Sequence, residues 1–329
     1  MIYIENTSVD PYYNMACDEY ILKNMDFGED ILTLWRNDNA IIIGKNQNAF
    51  EEVNAAYVDE HGIKVCRRVT GGGAVYHDLN NLNFSLFIDL KDSSKLDDLN
   101  FFVLPVVKAL SELGVNAEVK GRNDITIDGR KFSGLAQRIH KDKLLFHGTL
   151  MFDVDVTILS KCLNVKPGKL QSKGHKSVRS RVTNIKEYIK DDVDVLGFKE
   201  ILKKQLFEGQ EYKEYVLTDE DKANIQKIRD EKFATWEWNY GESPESNFKN
   251  AERFKGGEVD VRMMLEDGKI QKIRFYGDFL STDDLDALIR ALEGQRYDIE
   301  TVDKILSSMD LRPFFGAITK DEIMHVMFP

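Results

Sequence analysis

Arg67 and Arg68, then Gly71, Gly72 and Gly73, then His77 and Asp78 follow one another between two strand-like runs. Consecutive glycines cost backbone entropy, so this loop needs positive φ or brings its main chain close to something. Its N–H groups can hold an anion. The plainer alternative is a glycine-rich hairpin turn flanked by solvated arginines. A second cluster is Gly121-Arg122-Asn123-Asp124, followed by Gly129-Arg130-Lys131-Phe132-Ser133-Gly134. A strand, a tight Asp128-Gly129 turn and a returning strand bring Asp124 and Lys131 near one another. That pair suits a magnesium-nucleotide site, Asp124 holding the metal and Lys131 facing a phosphate. A surface ion pair of little consequence has the same pattern. Phe146-His147-Gly148-Thr149 is an apolar run interrupted by a histidine, which serves a core or rim as readily as catalysis. Lys173, His175, Lys176, Arg179 and Arg181, interspersed with Ser177, Ser180 and Thr183, make a basic stretch in an acidic chain. It reads as a solvated loop or as a mobile phosphate-capturing segment.

These groups need a scaffold. Runs rich in Val, Ile, Leu and aromatics at 31–36, 40–44, 63–69 and 83–90 read as strands of one sheet. From Leu99, the positions Phe102, Val103, Val106, Val107, Leu110 and Leu113 follow helical spacing, with Gly114 placed as a C-terminal cap. Strands follow at 124–127 and 144–153. Thr218, backed by Asp219, Glu220 and Asp221, opens a helix reaching about Phe233. The polar, turn-prone stretch 239–250 reads as a linker. It divides the chain into a domain over 1–244 and a smaller α+β domain over 251–329. In the latter, 258–265 and 269–276 form a hairpin about Asp267-Gly268, Thr282 and Asp298 open two helices, and a last helix starts near Thr319.

The chain has 329 residues, 42% apolar and 31% charged, enough for about two domains of ~150 residues. A net charge of -11 excludes a generic basic nucleic-acid coat or a polycation for membrane surfaces. No apolar run approaches the ~20 residues a bilayer demands, and the first ten residues are no signal peptide. Cys17, Cys66 and Cys162 are odd in number and far apart, which argues against a disulfide framework and zinc clusters. A cytoplasmic protein is expected.

Taken in order, these motifs resemble the lipoate-protein ligase A family over the whole chain. The opening matches as well: Asn14-Met15-Ala16, Trp35-Arg36-Asn37 and the run from Ile43 to Asn48 look like that family's first strands and the loop beneath its acyl pocket. Departures are small, Tyr76 where phenylalanine is common and Val69-Thr70 between arginines and glycines. The resemblance implies a mixed-sheet α+β catalytic domain like that of biotin protein ligases and class II aminoacyl-tRNA synthetases, with an accessory C-terminal domain that swings about the linker. It implies ATP-dependent activation of lipoate to lipoyl-AMP, with Mg2+, and transfer to a lysine of acceptor lipoyl domains. Those acceptors are 2-oxoacid dehydrogenase E2 subunits, the glycine-cleavage H protein, or both. Nucleic acid, membrane and oligomeric partners are not expected.

Carried over residue by residue, Lys131 is the principal electrostatic stabiliser. Arg68, Thr70, Gly71, Gly72, Gly73 and His77 lie along the acyl-adenylate, while Trp35 and Val75 face the acyl chain. Asn123 and Asp124 hold nucleotide or metal. Ser133, Gly134, His147, Gly148 and Thr149 complete the binding motifs, although His147 only shapes the pocket on one reading. Lys173, Ser177, Arg179 and Arg181 belong to a loop that folds over the intermediate and slows its hydrolysis. The alternatives are an ATP-independent octanoyl or lipoyl transferase working through a thioester on Cys66 or Cys162, and a non-catalytic binder of acyl-adenylate or nucleic acid.

Overall fold

The computed structural model describes residues 1–90, 100–120, 124–163, 182–207, 211–240 and 247–329. Its strands are β1 (Ile2–Glu5), β2 (Ile31–Trp35), β3 (Ala40–Ile43), β4 (Lys64–Arg67), β5 (Val75–His77), β6 (Asn81–Asp89), β7 (Ala117–Lys120), β8 (Asp124–Ile127), β9 (Arg130–His140), β10 (Lys143–Met151), β11 (Lys213–Tyr215), β12 (Phe248–Phe254), β13 (Gly257–Glu266) and β14 (Lys269–Gly277). The longer helices are α1 (Pro11–Asn24), α2 (Asn100–Glu112), α3 (Val195–Leu206), α4 (Asp219–Ile228), α5 (Asp286–Leu292), α6 (Ile299–Ser307) and α7 (Lys320–Met327).

A mixed eight-stranded sheet runs in the order β11-β1-β2-β6-β10-β9-β8-β7, parallel at β11-β1-β2 and antiparallel from there on. A second sheet, β4-β3-β5, packs beside it. The four early runs are therefore divided between two sheets and do not form one. Between β2 and β3 the chain turns through Asn39, which takes φ +44, and β3 pairs in the second sheet. All four β3 residues are buried. Ala40 and Ile42 join Trp35 and Met15 in one core, whereas Ile41 and Ile43 join Val58, Val65 and Tyr76 in another.

Helix α1 starts on Pro11, where the missing N–H costs nothing. It shows no amphipathic stripe because it is enclosed on nearly every side. Asn14, Met15 and Ala16 lie in this helix and so are not part of a strand or loop. On the other face of the main sheet, Val103, Val106, Ala109 and Leu110 of α2 pack with Phe198 and Leu202 of α3, and Gly114 at φ +74 ends that helical segment. Helix α4 starts after Thr218 as its sequence suggests, with a capping box between Thr218 and Asp221, and passes into a π-turn over 229–233.

The C-terminal unit is the antiparallel sheet β12-β13-β14 with α5, α6 and α7 around its own core, centred on Val261, Ile273, Phe279 and Phe315. β12 begins at Phe248, within the stretch read as linker, and 241–246 lie outside the described residues. Asp298 and Thr319 cap α6 and α7 as their sequence suggests. Thr282 caps nothing: its N–H donates to Pro313 O, and the helix starts at Asp286.

Residues 277–284 press this unit onto the N-terminal sheets. Gly72 N donates to Phe279 O, Gly277 N to Asn46 O and Ile139 N to Thr282 O. Arg138 grips Asp284 with both terminal nitrogens, at 3.1 and 2.7 Å, and Lys45 Nζ is 3.2 Å from the same carboxylate. Burial pushes the Asp284 carboxyl up, but these cations outweigh it and hold the group well below the usual carboxylate range.

Candidate active site

Strands β2, β6, β10 and β9 lie side by side, and their register sets two rows of side chains on one face. Trp35 stands opposite Asn83, Asn83 opposite Thr149, and the Thr149 hydroxyl accepts from Gly134 N at 3.2 Å. Two residues along, Thr33 faces Ser85, Ser85 faces His147, and His147 faces Ala136. Because alternation has period two, every member of both rows points to the same side.

The β8–β9 hairpin carries one extra residue. Ile127 pairs with Arg130 and Thr126 with Lys131, but Ile125 then pairs with Ser133 and Asp124 with Gly134. Phe132 is the bulge. In an unbroken ladder Ser133 would stand on the face of Lys131. With the bulge, Phe132 and Ser133 both turn into the protein, 0% and 1% exposed, and Gly134 comes to lie beneath the ammonium. A Cβ at Gly134 would sit 3.1 Å from Lys131 Nζ. Lys131 Nζ also meets Asp124 Oδ1 at 2.6 Å, with side chains 37% and 38% exposed. So open a pair contributes only about 0–1 kcal/mol, and an incoming phosphate or carboxylate readily displaces it.

The glycine loop is shaped from inside by Arg68. Its Nη2 donates to Gly71 O and Gly73 O, its Nη1 to Ile42 O, and its Nε to Thr70 Oγ1. Among the described residues no carboxylate lies within ion-pair distance of this buried guanidinium. Burial and then the neighbouring Arg67 pull its pKa down to about 10, so at neutral pH it remains a cation without a counter-charge. Arg67 is different: it donates to the carbonyls of Gly44, Lys45, Gln47, Trp238 and Asn239 and is a structural staple. Gly72 takes φ +94, which only glycine adopts cheaply. Gly71 has no room for a side chain because a Cβ would meet Phe279 O at 2.7 Å.

Both histidines are held from α1. Asn14 and Asp18, one turn apart, share a face of that helix. Asn14 Nδ2 donates to Asn37 Oδ1, so Asn37 turns its amide nitrogen to His77 Nδ1, 3.1 Å away. The His77 proton therefore sits on Nε2. Asp18 Oδ2 accepts from His147 Nδ1 at 3.1 Å and from Ser85 Oγ at 2.9 Å, and Ser85 accepts from Trp35 Nε1. His147 Nε2 then accepts from Thr70 Oγ1 at 2.8 Å. One carboxylate thus fixes His147, Trp35 and Thr70 at the start of the glycine loop.

Burial, followed by the charge of Arg68 and the neighbouring His147 ring, lowers the His77 pKa to about 3. An unfolded histidine takes up its proton near pH ~6.5. The stabilisation from keeping the ring neutral is thus complete above ~6.5 and falls as pH drops towards 3. Thermal unfolding followed from pH ~6.5 down to ~5, above most carboxylates, should show a loss of roughly 1 kcal/mol per pH unit from this group. His77→Phe should remove that component; an unchanged slope would count against the neutral ring.

These elements enclose about 120 Å3. Trp35, Arg68, Gly72, Gly73, Val75 and His77 line the cavity, as do Lys131, Gly134, His147, Gly148 and Thr149. Thr70 and Gly71 do not line it and act behind the loop. Ser133 faces away. Gly148 also serves the opposite side of the sheet, where a Cβ would meet Phe84 and Leu135 at 2.6–2.8 Å. Asn123, Lys173, Ser177, Arg179 and Arg181 lie outside the described residues, although Thr183 N, at the end of the basic stretch, donates to Lys131 O. Sequence reasoning missed Asp18, beside Glu19 in an enclosed helix, and Asn83 and Ser85, which alternate with apolar residues in β6. Among the described residues no group of three His, Cys, Asp or Glu is placed to hold a metal. Mg2+ held together with phosphates needs only one or two carboxylates, a requirement that the half-exposed Asp124 carboxylate beside Lys131 would fit.

The site is thus an apolar slot with a cationic mouth. Residues 10–207 match the family description "Lipoyl protein ligase A/B catalytic domain", and 243–327 match "Bacterial lipoate protein ligase C-terminus". The chain is 44% identical to lipoate–protein ligase 1 of Staphylococcus aureus over 99% of its own length and 100% of the relative. It superposes on P. falciparum LipL1, solved in complex with lipoate, with TM-score 0.80 and 25% identity over 94% of each chain. Against a lipoate-protein ligase A bound with ATP the TM-score is 0.62, at 30% identity over 73% of this chain and 98% of the other.

Proposed function

The chain belongs to the lipoate-protein ligase family, and on that premise we propose that it converts lipoate and ATP to lipoyl-AMP and passes the lipoyl group to a lysine of an acceptor lipoyl domain. The observation that carries this reading is the ammonium of Lys131, held over Gly134 in a slot that Trp35 and Val75 also line.

The acyl chain enters the slot, leaving its carboxylate at the cationic mouth. A carboxylate oxygen attacks the α-phosphorus, the new C–O–P linkage forms, and the bond to the β-phosphate breaks with pyrophosphate leaving. Two anions must approach while negative charge builds on the phosphoryl oxygens. Lys131 and Arg68 offset that charge, and the N–H groups of the glycine loop hold the nucleotide's phosphate. Asp124, displaced from Lys131, would hold Mg2+, which when bound supplies further positive charge to the phosphates. In the second step the acceptor amine attacks the acyl carbon, the amide forms, and AMP leaves with the electron pair of the broken anhydride bond. Asn123, Lys173, Ser177, Arg179 and Arg181 are assigned to nucleotide contact and to covering the intermediate, and Ser133, Gly148 and Thr149 to shaping the strands beneath it.

E2 subunits of 2-oxoacid dehydrogenases and the glycine-cleavage H protein are the proposed acceptors, and a cytoplasmic setting is proposed with them. Among the described residues no helix is long and apolar enough to cross a membrane. We assign catalysis to 1–244 and an accessory role to 251–329, in support of which the C-terminal core closes on its own residues. The thioester alternative is disfavoured by the thiols themselves. Burial pushes Cys66 well up and Cys162 up to about 12, leaving neither as a thiolate at neutral pH. Cys66→Ala and Cys162→Ala should each keep acyl transfer within about threefold of the parent, near the ~0.5 kcal/mol scale of mild substitutions; loss of transfer in either would revive that alternative.

The test is ATP-dependent pyrophosphate release with free lipoate and Mg2+, with and without an apo acceptor domain, while acceptor mass is followed. Pyrophosphate together with a lipoylated acceptor is expected. Transfer from an acylated carrier without pyrophosphate would overturn the reading.

A further inference from the structure

We propose that the inner end of the slot reads the sulfur end of the acyl group, through N–H donors on His77 and Asn83, so that an acid carrying acceptor atoms there is chosen over a plain alkyl acid of the same length. This rests on the lipoate-activating reading above and deepens it.

Both side chains are buried, 2% and 1% exposed, and both line the cavity. His77 is neutral by its hydrogen bonding: Nδ1 takes the Asn37 amide, which leaves Nε2 as a donor, and among the described residues Nε2 has no partner. Asn83 Oδ1 accepts from Asn81 Nδ2, which leaves Asn83 Nδ2 as a donor, also without a partner among the described residues. Buried donors are nearly always paired, so two orphans in one cavity point to acceptors brought by a ligand.

They are also at the right depth. Asn83 is on β6, two strands from Gly134 on β9, or roughly 10 Å at ~4.8 Å per strand. Lys131 Nζ sits over Gly134. A carboxylate held at Lys131 therefore places the far end of a medium-length acyl chain beside Asn83, next to Trp35, which stands opposite Asn83 and edge-on to the His77 ring. Divalent sulfur accepts hydrogen bonds weakly and packs well against aromatic rings. A methyl terminus accepts none, and would leave both donors buried and unpaired.

The experiment measures kcat/KM for pyrophosphate release with lipoate and with octanoate, in the parent and in Asn83→Leu. The lipoate-to-octanoate ratio should fall about 2- to 10-fold in the variant, the scale of one modest hydrogen bond. A ratio that stays the same or rises overturns the proposal. A second measurement needs no variant: in the 15N-histidine-labelled full-length protein, the His77 Nε2–H resonance should shift with lipoate and much less with octanoate. Equal shifts, or none with lipoate despite turnover, overturn it as well. A parent protein that releases pyrophosphate with neither acid would instead refute the ligase reading.

Discussion

Lys131→Ala should abolish lipoyl-adenylate formation while leaving the fold intact. The ammonium is the group the bulge places over Gly134, and no other lysine among the described residues lines the cavity. Removing a single neutral donor from a site that stabilises developing charge costs about 10²–10³ in rate, and a full charge in a partly desolvated slot costs at least as much. Pyrophosphate release should therefore drop by ~10³ or more. Stability should barely move, because the pair with Asp124 is more than a third exposed on both sides and contributes about 0–1 kcal/mol. Pyrophosphate release and thermal unfolding of the same preparation separate the two effects. Near-normal release would remove Lys131 from the centre of the chemistry. A protein that fails to fold would show that its stem, and not its charge, mattered.

The second large effect is expected at Gly44, which is not among the residues lining the cavity. A Cβ there would lie 2.0 Å from Gly72 O, 3.0 Å from Gly72 C and 3.3 Å from Arg68 Nη2. The obstruction is backbone, and that backbone cannot retreat freely, since Gly72 N is bonded to Phe279 O and its φ is +94. Gly44→Ala should push the glycine loop off the N–H geometry proposed to hold the nucleotide. Overpacking of this kind costs about 1–3 kcal/mol, and displacement of a positioning loop by an ångström costs roughly 10² in rate. Adenylation assays and melting curves check it. Gly73→Ala makes the comparison in stability: its added carbon meets nothing within 4 Å, and it should melt with the parent. Equal activity of Gly44→Ala and the parent would mean that the loop is not rigid.

The legible part of the site was what local chemistry writes into adjacent residues. Glycines with a flanking arginine, an Asp-Gly turn between two short strands, and a histidine inside an apolar run led to the residues that line the cavity. What stayed hidden depends on register. Asn83 and Ser85 alternate with apolar residues in β6, and nothing local tells that they face His147 and Thr149. Asp18 lies on a helix enclosed on nearly every side, where no stripe marks the face it occupies. Division of the early strands between two sheets turned on one residue, Asn39 at φ +44, in an otherwise ordinary polar turn. Thr282 with its following aspartates imitates a helix cap, but tertiary contact with Pro313 claims its N–H.

Phe132 separates two selective pressures on one hairpin. Dropping that residue alone from the gene would leave Lys131 opposite Thr126 and Gly134 opposite Asp124, the pairing they already have. The reacting face would keep its reading frame. The hydrophobic layer would lose a phenylalanine with no exposed surface, of the kind whose truncation typically costs about 3–5 kcal/mol. Loss of any one residue between 134 and 136 would do the reverse, sparing that ring while turning the rest of the strand over. Lineages of this fold can thus shorten the hairpin at one codon and trade only stability, whereas a codon or two further on the same deletion costs the chemistry.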